Sequence, residues 1–219
     1  MKIAILGTGM VGIAIGTKLV EKGHQVMMGS RKAGNEKAVV WVKSNGKDAS
    51  QGTFNDAAKF GTLVFNCTSG MASIEALKMA GAENLKGKIL VDVSNPLDFS
   101  NGMPPTLTVC NTDSLGEQIQ NAFPDTMVVK TLNTINCNIM VNATLVPGDH
   151  DVFVSGNDAN AKSKVKEILQ TDFGWNSIVD LGDITTARGT EMMLPLWIRL
   201  WGVFQSPNFN FKIVRDLIK

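Results

Sequence analysis

Gly7, Gly9 and Gly12 stand in the spacing GxGxxG within "AILGTGMVGIAIG", a spacing that can grip a pyrophosphate. The first glycine permits a tight turn, the second lets backbone N–H groups approach the phosphates, and the third lets the following helix lie against its strand. The phosphates then meet the positive N-terminal end of that helix. Any glycine-bearing turn can imitate the motif. Its weight comes from its place, directly after a short apolar run and at the opening of a helical one.

Eighteen residues beyond Gly12, in "MMGSRKAG", come Ser30, Arg31 and Lys32. In a dinucleotide fold this is where the adenosine ribose lies. A site for an unphosphorylated ribose places a carboxylate there, whereas a 2′-phosphate needs cations. Residues 26–35 contain no Asp or Glu. Ser30 can donate its hydroxyl, Arg31 can offer two N–H groups to phosphate oxygens, and Lys32 or Lys37 can add a point charge. A solvated basic loop would look the same in isolation, but the glycine turn places this one at the ribose. The cofactor expected is therefore NADP(H).

In open α/β sheets, ligands lie beyond the carboxyl ends of the strands. The residues following the later apolar runs are small and polar: Thr68 and Ser69, then Asn95 and Pro96, then Asn133 and Thr134. They suit hydrogen bonds to a ribose and a carboxamide, and they equally suit turns and helix caps. An acid or base is harder to find. The chain has no tyrosine, and His24 and His150 lie away from the strand exits. Cys67 and Cys137 lie near strand exits and could be reactive thiols, though small buried packing residues are the plainer reading. Lys130, the one ionisable side chain in its apolar run, is the sole candidate proton donor; its plainer reading is a strand-end lysine that reaches solvent or pairs with Asp92. A nicotinamide without an evident acid suits direct hydride transfer to a flat ring such as a flavin or deazaflavin.

These residues need a scaffold that collects strand exits at one edge. Apolar runs at 2–7, 25–30, 62–68, 88–94, 126–132, 151–156 and 177–182 alternate with helical segments near 10–22, 35–45, 70–81, 114–122 and 158–171. This alternation predicts a Rossmann-type, doubly wound, mostly parallel α/β sheet. A last helix is expected from Gly189 or Thr190 through "MMLPLWIRLWGVF", disturbed in its first turns by Pro195. We divide the chain into an NADP-binding domain, 1–150, and a C-terminal βαβ unit plus apolar helix, 151–219, packed on the same core and closing a second-ligand cleft.

With 219 residues and 44% apolar content, the chain can bury a sizeable core. Twenty-one basic against twenty acidic residues leave no global field to attract nucleic acid or an anionic membrane. The longest apolar stretch falls short of the roughly 20 residues needed to span a bilayer. Its Met and Trp content suggests either a ring-binding wall or, preferred here, a homodimer interface. Three scattered cysteines and two histidines predict neither a disulfide framework nor a metal centre. The N-terminus leaves no room for a signal peptide, so a cytoplasmic location is expected.

The segments "ILGTGMVGIAIGTKLVEKGHQVMMGSRK", "DVSNPL", "VVKTLNTIN", "DVFVSGNDANAKSKVKEIL", "DLGDITTARGTE" and "MLPLWIRL" together resemble the F420-dependent NADP oxidoreductase family, which includes the reductase domain of the STEAP metalloreductases. The resemblance implies that Thr8, Gly9, Met10 and Val11 line the pyrophosphate. It implies that Ser30 and Arg31 hold the 2′-phosphate, and that Asn95, Pro96, Asn133 and Thr134 lie by the nicotinamide. It also implies that Ala187–Glu191 belongs to the segment closing the second-ligand cleft. "FNCTSG" departs from the family's usual apolar-Ala-Val-Pro pattern. The expected activity is hydride transfer between NADP(H) and coenzyme F420 or a flavin-like ring. The alternatives are an NADPH-dependent reductase of a small carbonyl or imine, and a non-catalytic NADP(H)-binding or sensing module.

Overall fold

The structure is a computed structural model, and it describes residues 1–216; positions 217–219 of the C-terminal segment lie outside the described residues. The elements run β1 (Lys2–Leu6), α1 (Met10–Glu21), β2 (Gln25–Ser30), α2 (Glu36–Asn45), β3 (Ala49–Thr53), α3 (Phe54–Phe60), β4 (Leu63–Asn66), α4 (Gly70–Ala80) and α5 (Ala82–Leu85). They continue with β5 (Ile89–Asp92), β6 (Leu97–Asp98), β7 (Thr106–Leu107), α6 (Leu115–Ala122), β8 (Met127–Thr131), α7 (Cys137–Met140), β9 (Asp151–Gly156), α8 (Ala159–Thr171), β10 (Ser177–Gly182), α9 (Ala187–Met192) and α10 (Leu194–Phe204).

Eight of the strands form one sheet in the order β10-β9-β8-β5-β4-β1-β2-β3. From β3 across to β8 the pairing is parallel; β9 pairs antiparallel with β8, and β10 runs parallel to β9. The connections step outward in opposite directions from β1 and β4, which opens a crevice beyond their carboxyl ends. Strand residues alternate between two buried faces, as a sheet covered on both sides requires. Ile3, Ile5, Val26, Met28 and Phe65 pack against Ile15 and Leu19 of α1 on one face. Ala4, Leu6, Val64, Leu90 and Val128 pack against Ala57, Leu77 and Ile119 of α3, α4 and α6 on the other.

Every apolar run expected to be a strand contains one, and the five expected helices are present. Strand β3, "ASQGT", went unread because only Ala49 and Gly52 in it are buried. Helix α3, which follows it, opens on a capping box between Thr53 and Asp56, a pattern visible in the sequence. The expected single terminal helix is two helices that meet at Met193. Pro195 does not disturb a helix in progress; it sits in the first turn of α10, where a missing N–H costs nothing.

Helix α10 leaves Leu196, Trp201, Val203 and Phe204 exposed. The chain then returns, stacking Phe209 on Trp197 at 5.2 Å. It is tied to the start of β9 by the Asp151 N–H donating to the Phe211 carbonyl (2.9 Å) and by Asn210 Nδ2 donating to the Asp151 carbonyl (2.8 Å). Because β9 is antiparallel to β8, this anchor lies at the crevice edge of the sheet. No helix among the described residues is long and apolar enough to cross a membrane.

Candidate active site

The turn from β1 into α1 is shaped by close approach. Gly7 has φ 122°, and a Cβ there would sit 2.6 Å from the Cys67 carbonyl oxygen, so any side chain is excluded. A Cβ on Gly12 would lie 2.3 Å from the Gly7 carbonyl oxygen. A Cβ on Gly9 would meet nothing within 4 Å; the space over this residue is open. Gly9 is the N-cap of α1, no side chain caps the helix, and its first turn carries no acid. Among the described residues the first N–H groups of α1 therefore have no partner, which makes the turn a ready anion site.

That turn opens into a cleft of about 640 Å³ lined by Gly7, Thr8, Ser30, Arg31, Lys32, Thr68 and Ser69, with Phe54, Ala72, Ala76 and Met79 supplying apolar surface. Residues from three separate strand exits thus meet at one concavity. Ser30 is buried, and its hydroxyl donates to the Lys32 carbonyl at 2.6 Å. Arg31 and Lys32 are exposed and form no ion pair among the described residues. Asn35 caps α2 by accepting from the Lys37 and Ala38 N–H groups, which closes the loop. Lys37 lines a neighbouring groove between α1 and α2, not the cleft.

Asn95 and Asn133, 38 positions apart, grip one another: Asn95 Nδ2 donates to the Asn133 carbonyl at 2.8 Å, and Asn133 Nδ2 donates to Asn95 Oδ1 at 3.0 Å. Leu132, just before Asn133, has φ 62°, an uncommon conformation for leucine. It turns the chain sharply at the exit of β8. Pro96 and Thr134 are buried beside this pair.

Beneath these loops lies a polar chain that sequence reading did not assemble. Thr68 Oγ1 donates to Asn66 Oδ1 (2.7 Å), and Asn66 Nδ2 donates to Asp92 Oδ1 (2.8 Å). Lys130 Nζ lies 2.8 Å from Asp92 Oδ2 and 2.7 Å from Glu191 Oε1, and donates to the Ser94 carbonyl at 2.6 Å. Glu191 also accepts from the Leu115 and Gly116 N–H groups at the start of α6, at 2.8 and 3.0 Å. Nearby, Arg188 forks onto Glu117. This chain accounts for "FNCTSG": Asn66 and Thr68 supply polar links where an apolar pattern would have none.

Lys130 does not reach solvent; its side chain is fully buried. Burial by itself would lower its pKa, but Asp92 and Glu191 outweigh that and hold it above the usual lysine value. Lys130 is thus a firmly charged ammonium. Burial, and then the charge of Asp92, push the Cys67 thiol pKa up, which removes it as a thiolate nucleophile. His24 bridges the N-terminus and Asp172, while His150 bonds the Ala143 carbonyl and Asn210; neither stands at the cleft. No group of three or more metal-ligating side chains occurs among the described residues.

A glycine turn feeding a helix, a cationic loop at the exit of β2 and polar strand exits at a topological switch point define a dinucleotide-binding protein of the Rossmann class. Residues 2–96 match the family model described as "NADP oxidoreductase coenzyme F420-dependent". Over 97% of this chain and 98% of the relative, the sequence is 32% identical to the F420-dependent NADP reductase of Methanocaldococcus jannaschii. A solved structure from Arthrobacter sp. FB24, described as a candidate F420-dependent NADP reductase, is 54% identical with a TM-score of 0.93, covering 98% of this chain and 100% of that one. Rat metalloreductase STEAP3 is 28% identical across the whole chain, which spans 43% of that relative's length. An imine reductase from Aspergillus terreus shares the fold alone, at 19% identity and TM-score 0.64 over 93% of this chain and 62% of that one. The chain belongs to the F420-dependent NADP oxidoreductase family, and it is an NADP(H)-dependent oxidoreductase.

Proposed function

We propose that the enzyme passes a hydride directly between the nicotinamide of NADP(H) and a flat redox ring, coenzyme F420 or a flavin-like molecule. One observation carries this reading. The residues proposed to meet the nicotinamide, Asn95, Asn133 and Thr134, are neutral, and the ionisable groups behind them, Asp92, Lys130 and Glu191, are sealed together in one buried ion cluster. Such a site aligns rings and manages no proton. In this reading the helix N-terminus at Thr8 to Val11 holds the pyrophosphate, and Ser30 and Arg31 hold the 2′-phosphate, with Lys32 beside them. Thr68 and Ser69 flank the cleft, and the C-terminal segment from residue 151 to 216 closes over the second ligand. The relatives named as F420-dependent NADP reductases support F420 as the partner.

The test is NADPH oxidation against F420, FMN, FAD, ferric chelates and a panel of carbonyls and imines. Turnover with F420 or a flavin is expected. Activity confined to carbonyls or imines would contradict the reading, and no turnover with any acceptor would favour a binding module.

We also propose that the exposed apolar side chains of α10 form a homodimer interface. Light scattering is expected to give twice the chain mass, falling to the monomer mass in Val203→Glu/Phe204→Glu. A monomeric native protein would refute it.

A further inference from the structure

We propose that Lys130 is a positioning residue for the nicotinamide: its ammonium, fixed between Asp92 and Glu191, holds the Ser94 carbonyl and through it the Asn95–Pro96 loop. The inference rests on the nicotinamide placement proposed above. Its basis is the way Ser94 is held. The Ser94 N–H and Oγ both bond Asp92 Oδ1, at 3.2 and 2.7 Å, and its carbonyl accepts from Lys130 at 2.6 Å. Each polar atom of Ser94 is thus bound by the ion triad, and the next residue is Asn95, which pairs with Asn133.

Both carboxylates are fully engaged elsewhere as well: Asp92 takes Asn66 Nδ2, and Glu191 takes two N–H groups of α6. Lys130 therefore has one arrangement available. Buried ion pairs add little net stability over apolar replacements, but they can enforce a single geometry, and a binding group is only as well placed as the shell behind it. Because Glu191 lies on α9, the same contact lets the C-terminal segment set the nicotinamide loop.

Lys130→Met alone leaves two unpaired buried carboxylates and risks failing to fold, so the decisive variant is Lys130→Met/Glu191→Gln. The triad of one ammonium and two carboxylates carries a net −1, and the double variant keeps −1 on Asp92. The full-length variant is titrated with 2′,5′-ADP, which reports the adenosine end, and with NADPH, whose nicotinamide emission rises when the ring is immobilised. Asn133→Ala is run beside it.

The double variant is expected to melt cooperatively and bind 2′,5′-ADP as the wild type does. Its Kd for NADPH should rise about tenfold, the low end of what displaced supporting groups cost, with loss of the nicotinamide emission. A folded double variant with wild-type NADPH affinity and emission would overturn the inference, as would equal weakening of both ligands. If Asn133→Ala keeps the wild-type emission, the nicotinamide placement itself is wrong and the inference falls with it. Loss of emission in Asn133→Ala but not in the double variant overturns the role of Lys130 alone.

Discussion

Arg31→Ala is expected to raise the Kd for NADPH by about 10- to 100-fold, the range for losing hydrogen bonds to a charged group, and to leave NADH binding unchanged. The selectivity is the point. Arg31 and Lys32 are exposed at the cleft with no ion-pair partner among the described residues, so the substitution removes no internal support. A guanidinium offers a planar fork that matches phosphate oxygens, whereas lysine is a point charge on a flexible stem; Lys32→Ala should cost less. Ser30 must release the Lys32 carbonyl to turn its hydroxyl toward a phosphate, so it follows Arg31 in importance. Isothermal titration with both nucleotides decides the matter: equal losses for NADPH and NADH would mean the loop does not read the 2′-phosphate.

Lys130→Met is expected to lose about 3–5 kcal/mol of stability, the cost of removing one partner from a buried pair. For a chain of this length that lowers Tm by roughly 10 °C. The expectation rests on complete burial of the ammonium against Asp92 and Glu191. The pH dependence has a definite sign. The folded pKa of Lys130 is raised, so its contribution is fully present below the ordinary lysine value and declines only as pH climbs through the higher folded value. The gap between wild type and variant should therefore stay constant through neutral pH and narrow only in strong alkali. Urea denaturation across pH measures it. A loss below about 1 kcal/mol, the range of exposed pairs, would show that the triad is not held as described.

The parts of this site that act through local spacing are legible in the sequence. GxGxxG at the first strand exit fixes where α1 begins, and counting onward to Ser30 and Arg31 lands on the wall of the same cleft. Asn95 and Asn133 were singled out as strand-exit residues, and they bond each other. The polar chain from Thr68 to Glu191 is not legible in the sequence, because its members come from three strand exits and a helix brought together only by the strand order. Its signal was present in Asp92 and Lys130, two charges at the ends of otherwise apolar strands. The sequence offers Asp92 as one partner for Lys130 and solvent as the other; the third member, Glu191, lies 61 positions beyond Lys130 in a segment read as closing a cleft. Strand β3 was missed for a different reason, since an edge strand with two small buried residues has no apolar alternation to detect.

The central claim is direct hydride transfer from NADPH to a flat ring, and label transfer tests it most directly. NADPH deuterated at C4 of the nicotinamide, on each face in turn, is incubated with enzyme and oxidised coenzyme F420, whose reduced C5 carbon does not exchange its hydrogen with water. The prediction is that deuterium from one face appears at C5 of the product, with a primary isotope effect on a single turnover. Turnover with C5 carrying hydrogen from solvent for both labels, or no reduction of F420 at saturating NADPH, would contradict it.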